Sequence, residues 1–226
     1  MTLSVLDIFK IGLGPSSSHT MGPMNAACTF VDDLAGSGAL VRTAKVGAQL
    51  YGSLALTGRG HCTDRAVLLG LEGNRPDTIE PEAIEPALER IRSDHRLRLA
   101  GHREIEFDEP LDLLFHQDQT LPLHPNGLRF TALDAAGEVL LREEFYSTGG
   151  GFIVRAADFG RAVAGASSVE VPYPFDSARE LLQASRDNGL ELHELILANE
   201  RAFRSDAATT AALLRIWSVM RGCIEA

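Results

Sequence analysis

The sequence has 226 residues, of which 45% are hydrophobic and 23% are charged, and its formal net charge at pH 7 is −10. Such a composition is typical of a soluble globular protein with a sizeable core, whereas the negative charge argues against binding to nucleic acid or to anionic membranes. No apolar run approaches the roughly 20 residues that span a bilayer. The first ten residues lack a basic start and a long apolar core, so the sequence predicts no signal peptide.

A segment rich in glycine and hydroxyl groups lies near the start of the chain. Between Gly12 and Thr20 it contains two glycines, a proline, three successive serines and a histidine. The glycines let the backbone approach a ligand closely, and the proline fixes the exit of the loop. We expect Ser18 or Thr20 to cap the helix that follows, whose free N–H groups favour an anion. The segment therefore suits a small carboxylate that must also exchange a proton.

Strands and helices alternate after this segment. A strand is predicted over residues 41–53, and a glycine-rich loop over 57–64 follows it. Asp64 is the expected N-cap of a helix over 65–71. Apolar residues at every third or fourth position indicate another helix over 80–96.

From residue 97 the hydrophobic period changes to two, which is typical of β-strands. The strands predicted on this basis are 103–108, 128–133, 139–146 and 151–155. A turn at 134–137 joins the second and third of these strands as a hairpin. A small helix is expected near 158–163.

The composition changes at residues 171–175, where two prolines mark a linker. Asp176 or Ser177 then opens a wholly helical stretch. About 50 residues of helix are too few for an independent core. We therefore predict two domains, one over 1–170 and an incomplete all-α segment over 171–226.

The cysteines, Cys28, Cys62 and Cys223, are odd in number and stand far apart, outside any Cys-x-x-Cys pattern. They indicate a reducing compartment, and we expect a cytoplasmic protein. No histidine or carboxylate cluster has the spacing of metal ligands. The sequence therefore predicts no metal site within this chain.

Glycine and polar residues suited to a small anion recur in the loops 14–20, 58–64, 124–127 and 147–152. The third loop taken alone is more typical of a β-turn. Three successive glycines in the fourth weaken a strand, which makes sense where the backbone must approach a ligand. His19 and His61 lie in glycine-rich loops, where an imidazole can act as base or acid. The histidines expected to be merely exposed are His95, His102, His116 and His193, and the role of His124 is left open.

These loops resemble one family, the iron–sulfur-dependent bacterial L-serine dehydratases (L-serine ammonia-lyases). The segments that carry the resemblance are 4–23, 50–64, 124–127, 146–153 and 171–175, in this order. The resemblance implies the family's N-terminal β domain, with an α+β fold in which helices cover a mixed β-sheet. That domain is similar to the serine-binding regulatory domain of some phosphoglycerate dehydrogenases. Cys62 and Thr148 are small departures from the family pattern.

The resemblance further implies deamination of L-serine to pyruvate and ammonia without pyridoxal phosphate. A [4Fe–4S] cluster, with one iron that lacks a cysteine ligand, would act as the Lewis acid. The cluster cysteines of the family belong to its α domain, so none of the three cysteines here is an expected ligand and no cofactor is expected in this chain alone. The implied partners are L-serine, the α domain of the same enzyme and a second copy in a homodimer.

The resemblance also implies site residues. His61 is the expected general base, with His19 as second choice. The residues expected to hold the substrate carboxylate are Ser16, Ser17, Ser18 and Thr20. Those expected to orient its amino and carboxylate groups are Asn126, Ser147, Thr148, Gly149 and Gly150. The alternative is a non-catalytic module that senses serine, although a pure carboxylate binder favours arginine and residues 16–20 contain none. A purely structural domain would not need four such loops.

Overall fold

The computed structural model describes residues 4–161 and 169–225. The chain divides into two compact units, one formed by Gly12–Gly160 and the other by Met1–Ile11 together with Arg161–Ala226. The predicted domain boundary at residue 170 remains a prediction. Among the described residues, no helix is both long and apolar enough to cross a membrane.

Helices and strands alternate in the first part of the chain, strands β5 to β7 then follow one another, and the last part is helical, as the sequence predicts. The α-helices are α1 Val5–Ile8, α2 Gly22–Gly36, α3 Ser53–Thr57, α4 Thr63–Leu71, α5 Pro81–Asp94, α6 Glu109–Asp112, α7 Ala178–Asn188, α8 Leu192–Glu200 and α9 Asp206–Glu225. The strands are β1 Lys45–Tyr51, β2 Arg96–Leu99, β3 Arg103–Glu106, β4 Leu113–His116, β5 Gly127–Leu133, β6 Val139–Gly149 and β7 Phe152–Arg155. A π-helix, Ser17–Met21, precedes α2, and 3₁₀ turns span Leu40–Arg42, Gly58–His61 and Ala156–Asp158.

A five-stranded sheet in the order β4-β1-β5-β6-β7 forms the centre of the larger unit. β1 and β4 are parallel, whereas the other neighbours are antiparallel, so the sheet is mixed. β2 and β3 pair separately as an antiparallel ribbon. The predicted α+β fold, with a mixed sheet and helices over it, is confirmed.

The core of this unit lies between the sheet and α2. Alternate residues of β1, Val46, Ala48 and Leu50, are fully buried, as expected for a strand with one covered face. Phe30 of α2 stacks on Phe130 of β5 with ring centroids 5.3 Å apart. Helix α4 packs on α2, and α5 packs on α4. The helical layer therefore fixes where the N-termini of α2 and α4 lie.

Several predicted bounds need correction. The strand over 41–53 is shorter, because Val41 lies in a 3₁₀ turn and is 73% exposed. Asp64 does not cap α4: Cys62 stands at the N-cap, with φ +56° and without a side-chain hydrogen bond to the helix. The helix over 80–96 ends at Asp94, since His95 adopts φ +52° and the chain then enters β2.

The hairpin predicted from 128–133 and 139–146 is confirmed: β5 and β6 are antiparallel, Gly127 lies opposite Tyr146, and the register shifts between Ala132 and Leu133. The last predicted strand of the unit is present as β7. The small helix expected near 158–163 is only the 3₁₀ turn Ala156–Asp158, and residues 162–168 lie outside the described part of the chain.

The smaller unit is helical. Ser177 caps α7 by accepting a hydrogen bond from the Glu180 N–H, which confirms one of the two predicted helix starts. The buried carboxylate of Glu200 accepts hydrogen bonds from the Ser4 hydroxyl at 2.8 Å and the Val5 N–H at 2.7 Å, and pairs with Arg204. These bonds satisfy the charge of Glu200 and hold α1 against the end of α8.

Gly70 tests the packing of α4 on α2. A Cβ atom there would lie 2.5 Å from the Met24 carbonyl oxygen and 2.7 Å from the Ala27 Cβ. We expect Gly70→Ala to lower the free energy of unfolding by about 1–3 kcal/mol through overpacking, although alanine favours helices. Gly36→Ala, which meets no atom within 4 Å, is the control and should not destabilise. Urea denaturation measures both, and equal stability of the two variants would contradict this account.

Candidate active site

Three of the four predicted loops lie at one end of the sheet. β1 ends at Tyr51, β5 begins at Gly127 and β6 ends at Gly149. Because β5 is antiparallel to both β1 and β6, the end of β1, the start of β5 and the end of β6 lie at the same edge of the sheet. The loops that follow or precede them are therefore neighbours, and the Ser16–Thr20 segment joins them through the contacts below.

The Ser16–Thr20 segment contains the N-cap and most of the π-helix Ser17–Met21, which leads into α2. Ser16 is its N-cap, because the Ser16 hydroxyl accepts a hydrogen bond from the His19 N–H at 3.2 Å. The prediction that Ser18 or Thr20 caps the helix is therefore wrong. Those two hydroxyls turn towards the histidines instead: Ser18 Oγ lies 2.9 Å from His19 Nδ1. π-Helical turns are rare and are frequent at functional sites.

The structure brings His19 and His61 together. Their ring centroids are 4.9 Å apart, with the planes inclined by 43°. Two threonine hydroxyls connect the loop of His19 to the loop of His61. The Thr20 hydroxyl donates to the His61 carbonyl at 2.7 Å, and the Thr63 hydroxyl donates to the His19 carbonyl at 2.5 Å. The spacing of the two imidazoles is therefore fixed by backbone-anchored hydrogen bonds.

The two imidazoles differ in their hydrogen bonds. His19 has Ser18 Oγ at 2.9 Å from Nδ1 and Ser53 Oγ at 3.0 Å from Nε2, so a hydroxyl engages each ring nitrogen. His61 has the Thr57 carbonyl oxygen 2.9 Å from Nδ1. Since a carbonyl only accepts, Nδ1 of His61 carries the hydrogen, and the lone pair of the neutral ring is on Nε2.

Burial lowers the pKa of His19, and the nearby charge of His61 lowers it further, while a hydrogen bond from the protonated ring to the Ser53 backbone opposes the shift. The neutral form of His19 is therefore favoured in the folded protein.

Asn126 holds the third loop to the fourth. Its side-chain amide donates to the Ser147 carbonyl at 3.1 Å, and the Ser147 N–H donates to the Asn126 carbonyl at 3.0 Å. The same loop reaches α3, because the Ser53 N–H donates to the Pro125 carbonyl at 2.9 Å. Gly52 allows this contact: its φ is +55°, and a Cβ there would lie 2.3 Å from the Pro125 oxygen.

The backbone conformation of the fourth loop explains why three successive glycines occur there. Gly149, Gly150 and Gly151 have φ values of +100°, +61° and +78°, a region that other residues rarely adopt. The carbonyl of the buried Gly151 accepts a hydrogen bond from the Asn25 amide of α2 at 2.9 Å. The fourth loop is thereby held against the start of α2, next to the π-helix.

The predicted site residues differ in their exposure. The half-buried ones are Ser16, Ser18, His19, His61, Asn126 and Gly149, and the exposed ones are Ser17, Thr148 and Gly150. Thr20 and Ser147 are fully buried. The Thr20 hydroxyl is engaged by His61, and Ser147 Oγ faces Gly22, where a Cβ would lie 2.0 Å from it. These two side chains therefore lie behind the surface that a ligand meets.

Sequence reasoning missed several residues that organise the site. Ser53, Thr57 and Thr63 each bind one of the histidines or its backbone. A signal for Ser53 was available, because it follows a glycine at the end of a predicted strand. His116 was expected to be merely exposed, but it is half-buried and its ring stacks on Tyr51 at 4.8 Å.

The cysteines are not arranged as metal ligands. Within the described ranges no three histidine, cysteine or carboxylate side chains are grouped so that they could hold a metal ion. The Cys28 thiol is buried and donates to the Asn74 carbonyl at 2.8 Å, and burial raises its pKa to about 12. A thiol with this pKa does not provide the thiolate that a metal requires.

The lowered pKa of His19 predicts how stability depends on pH. The unfolded chain takes up this proton near its ordinary pKa of 6.5, whereas the folded chain does so only at lower pH. The contribution of His19 to the free energy of unfolding is therefore complete above pH 6.5 and is lost as the pH falls below it. We expect His19→Gln to lose less unfolding free energy than the wild type between pH 7.5 and 5.5, measured by urea denaturation. An identical loss in both proteins would contradict the assignment.

A family model and the similar curated proteins point to the same family. The model of the serine dehydratase beta chain family matches residues 4–158. The L-serine dehydratase of Streptomyces coelicolor is 44% identical over 225 residues, which are 100% of this chain and 50% of that protein. L-serine dehydratase 2 of Escherichia coli is 46% identical over 99% of this chain and 48% of its own length. The chain thus spans about half the length of the curated relatives that it matches.

Proposed function

Because the chain belongs to the serine dehydratase beta chain family, we propose that it forms the substrate-lining half of an L-serine dehydratase, which converts L-serine to pyruvate and ammonia. The observation that carries this proposal is the pair of imidazoles, 4.9 Å apart, which two of the four polar loops bring together. The alternative of a serine-sensing module finds no support among the relatives, which are named as dehydratases. It would also leave the two histidines without a chemical task.

His61 is the proposed general base that removes the α-proton of serine. Its Nδ1 is committed to the Thr57 carbonyl, so Nε2 has the lone pair that a base requires. Both nitrogens of His19 lie within hydrogen-bond distance of serine hydroxyls. His19 is therefore less suited to take the proton and better suited to hold the polar side chains around it.

The start of the π-helix is the proposed carboxylate site. Ser16, Ser17 and Ser18 lie at the N-terminal end of a helical segment that continues through α2, where the helix dipole favours a negative charge. Thr20 acts from behind by fixing His61. These groups stabilise the carboxylate with hydroxyl hydrogens and partial charge, without a cationic side chain.

The third and fourth loops are the proposed walls on the other side of the substrate. Asn126 and Ser147 lock the two loops together, while Thr148, Gly149 and Gly150 lie at the surface or partly below it. A glycine backbone at this position leaves room for the amino group and its hydrogen-bond partners. The proposed role of this loop is to orient the substrate for proton removal.

We propose that the [4Fe–4S] cluster implied by the resemblance is held outside the residues described here. The thiols present do not fit a cluster: Cys28 is buried and hydrogen-bonded, Cys62 is half-buried in another loop, and Cys223 is exposed at the end of α9. Such a cluster would supply a Lewis acid for the substrate hydroxyl.

We also propose a cytoplasmic homodimer that includes the α domain of the same enzyme. The three cysteines are free, which suits a reducing compartment. Helix α9 exposes Leu214, Trp217 and Ile224 to 61%, 53% and 75%. An apolar surface of this kind supports association with another domain or subunit.

Substitution of His61 tests the base. In an enzyme whose first half is this chain, we expect His61→Gln to lower kcat about 10²–10⁴-fold, the usual contribution of a general base. His19→Gln should retain more activity and raise KM, because its part is to position polar groups. The exposed His102→Gln is the control. Coupled detection of pyruvate measures each rate, and near-normal activity of His61→Gln would remove His61 as the base.

The location of the cluster is tested by reconstitution. After anaerobic incubation with iron and sulfide, we expect this chain to show no visible iron–sulfur absorption, because its thiols are separated and Cys28 is protonated. Iron analysis after desalting provides an independent measurement. A stoichiometric cluster on this chain would contradict the proposed division between the two halves.

A further inference from the structure

The His19 ring lies between two serine hydroxyls, and this arrangement restricts where hydrogens can be. Ser18 Oγ is 2.9 Å from Nδ1, and Ser53 Oγ is 3.0 Å from Nε2. A neutral imidazole has one N–H donor and one acceptor nitrogen. One serine must therefore donate to the ring while the other accepts from it.

The two tautomers have opposite consequences for Ser18. If Nε2–H donates to Ser53, then Ser18 donates its only hydrogen to Nδ1. Ser18 can then only accept a hydrogen bond from a ligand. If Ser53 donates to Nε2, then Nδ1–H donates to Ser18, and the Ser18 hydrogen is available to another acceptor. A carboxylate only accepts hydrogen bonds, so the second arrangement alone lets Ser18 bind one.

We propose that Ser53 is a positioning residue that donates its hydroxyl hydrogen to His19 Nε2 and thereby makes Ser18 a hydrogen-bond donor to the carboxylate of the substrate. This assignment rests on the proposed function for the identity of the ligand. The tautomer of His19 is a property of the free chain and can be measured without any ligand.

The surroundings of Ser53 suit this role. Its N–H is held by the Pro125 carbonyl at 2.9 Å, and its carbonyl accepts a hydrogen bond from the Thr57 hydroxyl at 3.0 Å. The backbone of Ser53 is thus fixed from both sides while the hydroxyl faces the ring. The lowered pKa of His19 supports a neutral ring, for which the question of tautomer arises.

With Ser53 as the donor to His19, the hydrogen bonds from Ser53 to Ser16 all run in one direction. Ser53 donates to His19, His19 donates to Ser18, and Ser18 Oγ lies 3.5 Å from Ser16 Oγ, which can accept its hydrogen when no ligand is bound. Hydrogen bonds that run in one direction polarise one another. A carboxylate would then compete with Ser16 for the Ser18 hydrogen.

Nitrogen NMR of the chain labelled with ¹⁵N-histidine tests the assignment. Long-range ¹H–¹⁵N spectra at neutral pH distinguish a protonated ring nitrogen from one with a free lone pair. We expect His19 to carry its hydrogen on Nδ1 and to be unprotonated at Nε2. A hydrogen on Nε2 in the wild type would overturn the proposal, and this measurement needs no variant.

The variant Ser53→Ala removes the proposed donor. We expect the His19 hydrogen to move to Nε2 in this chain. In an enzyme whose first half is this chain, the affinity for L-serine, measured by calorimetry, should fall roughly tenfold or more, as for one lost hydrogen bond to a charged group. Ser53→Thr keeps a hydroxyl and should restore both. Ser37→Ala, whose hydroxyl donates only to the Leu34 carbonyl, is the control and should change neither. A tautomer unchanged in Ser53→Ala would reject Ser53 as its cause.

The two proposals fail in different ways. If the wild-type chain has the expected tautomer but the enzyme whose first half is this chain binds no L-serine, the proposed function is rejected and the donor role of Ser53 stands. If L-serine binds but the hydrogen is on Nε2, the role of Ser53 is rejected and the proposed function stands.

Discussion

The site depends above all on the close packing of α4 against α2. His19 lies in the turn before α2, and His61 lies in the turn before α4. Because Gly70 allows α4 to approach the Met24 backbone, the starts of the two helices come near each other. The Thr20 and Thr63 hydroxyls then cross between the turns and fix the imidazoles. A contact between two helices thus determines the distance between the two imidazoles.

Much of the fold follows from local patterns. The alternation of apolar residues in 128–133 and 139–146 predicted the hairpin of β5 and β6, because one face of each strand must be buried. The helix of α5 followed from its apolar spacing. Helix ends were less predictable: Asp64 was the expected cap of α4, but the chain enters that helix through Cys62 in a left-handed conformation. That conformation is imposed by the turn that carries His61, which local sequence does not indicate.

Sequence patterns predicted the loops that lie together in the structure, but not the hydrogen bonds that connect them. Glycine and hydroxyl groups in four separate loops, with a histidine in two of them, marked the polar surfaces that the sheet brings together. Which hydroxyl binds which histidine depends on long-range contacts. Ser53 is 34 residues from His19 along the chain, yet its hydroxyl lies 3.0 Å from the ring. A sequence reading could therefore name the loops but could not distinguish Ser53 from its neighbours.

The reciprocal bonds between Asn126 and Ser147 have a consequence for the energetics of binding. Here a side-chain amide takes the place of a backbone N–H and extends the β5–β6 ladder by one rung beyond Gly127. The two loops thereby share the order of the sheet before any ligand arrives. Little conformational entropy of these two loops then remains to be lost on binding, so the proposed substrate site is pre-organised on this side.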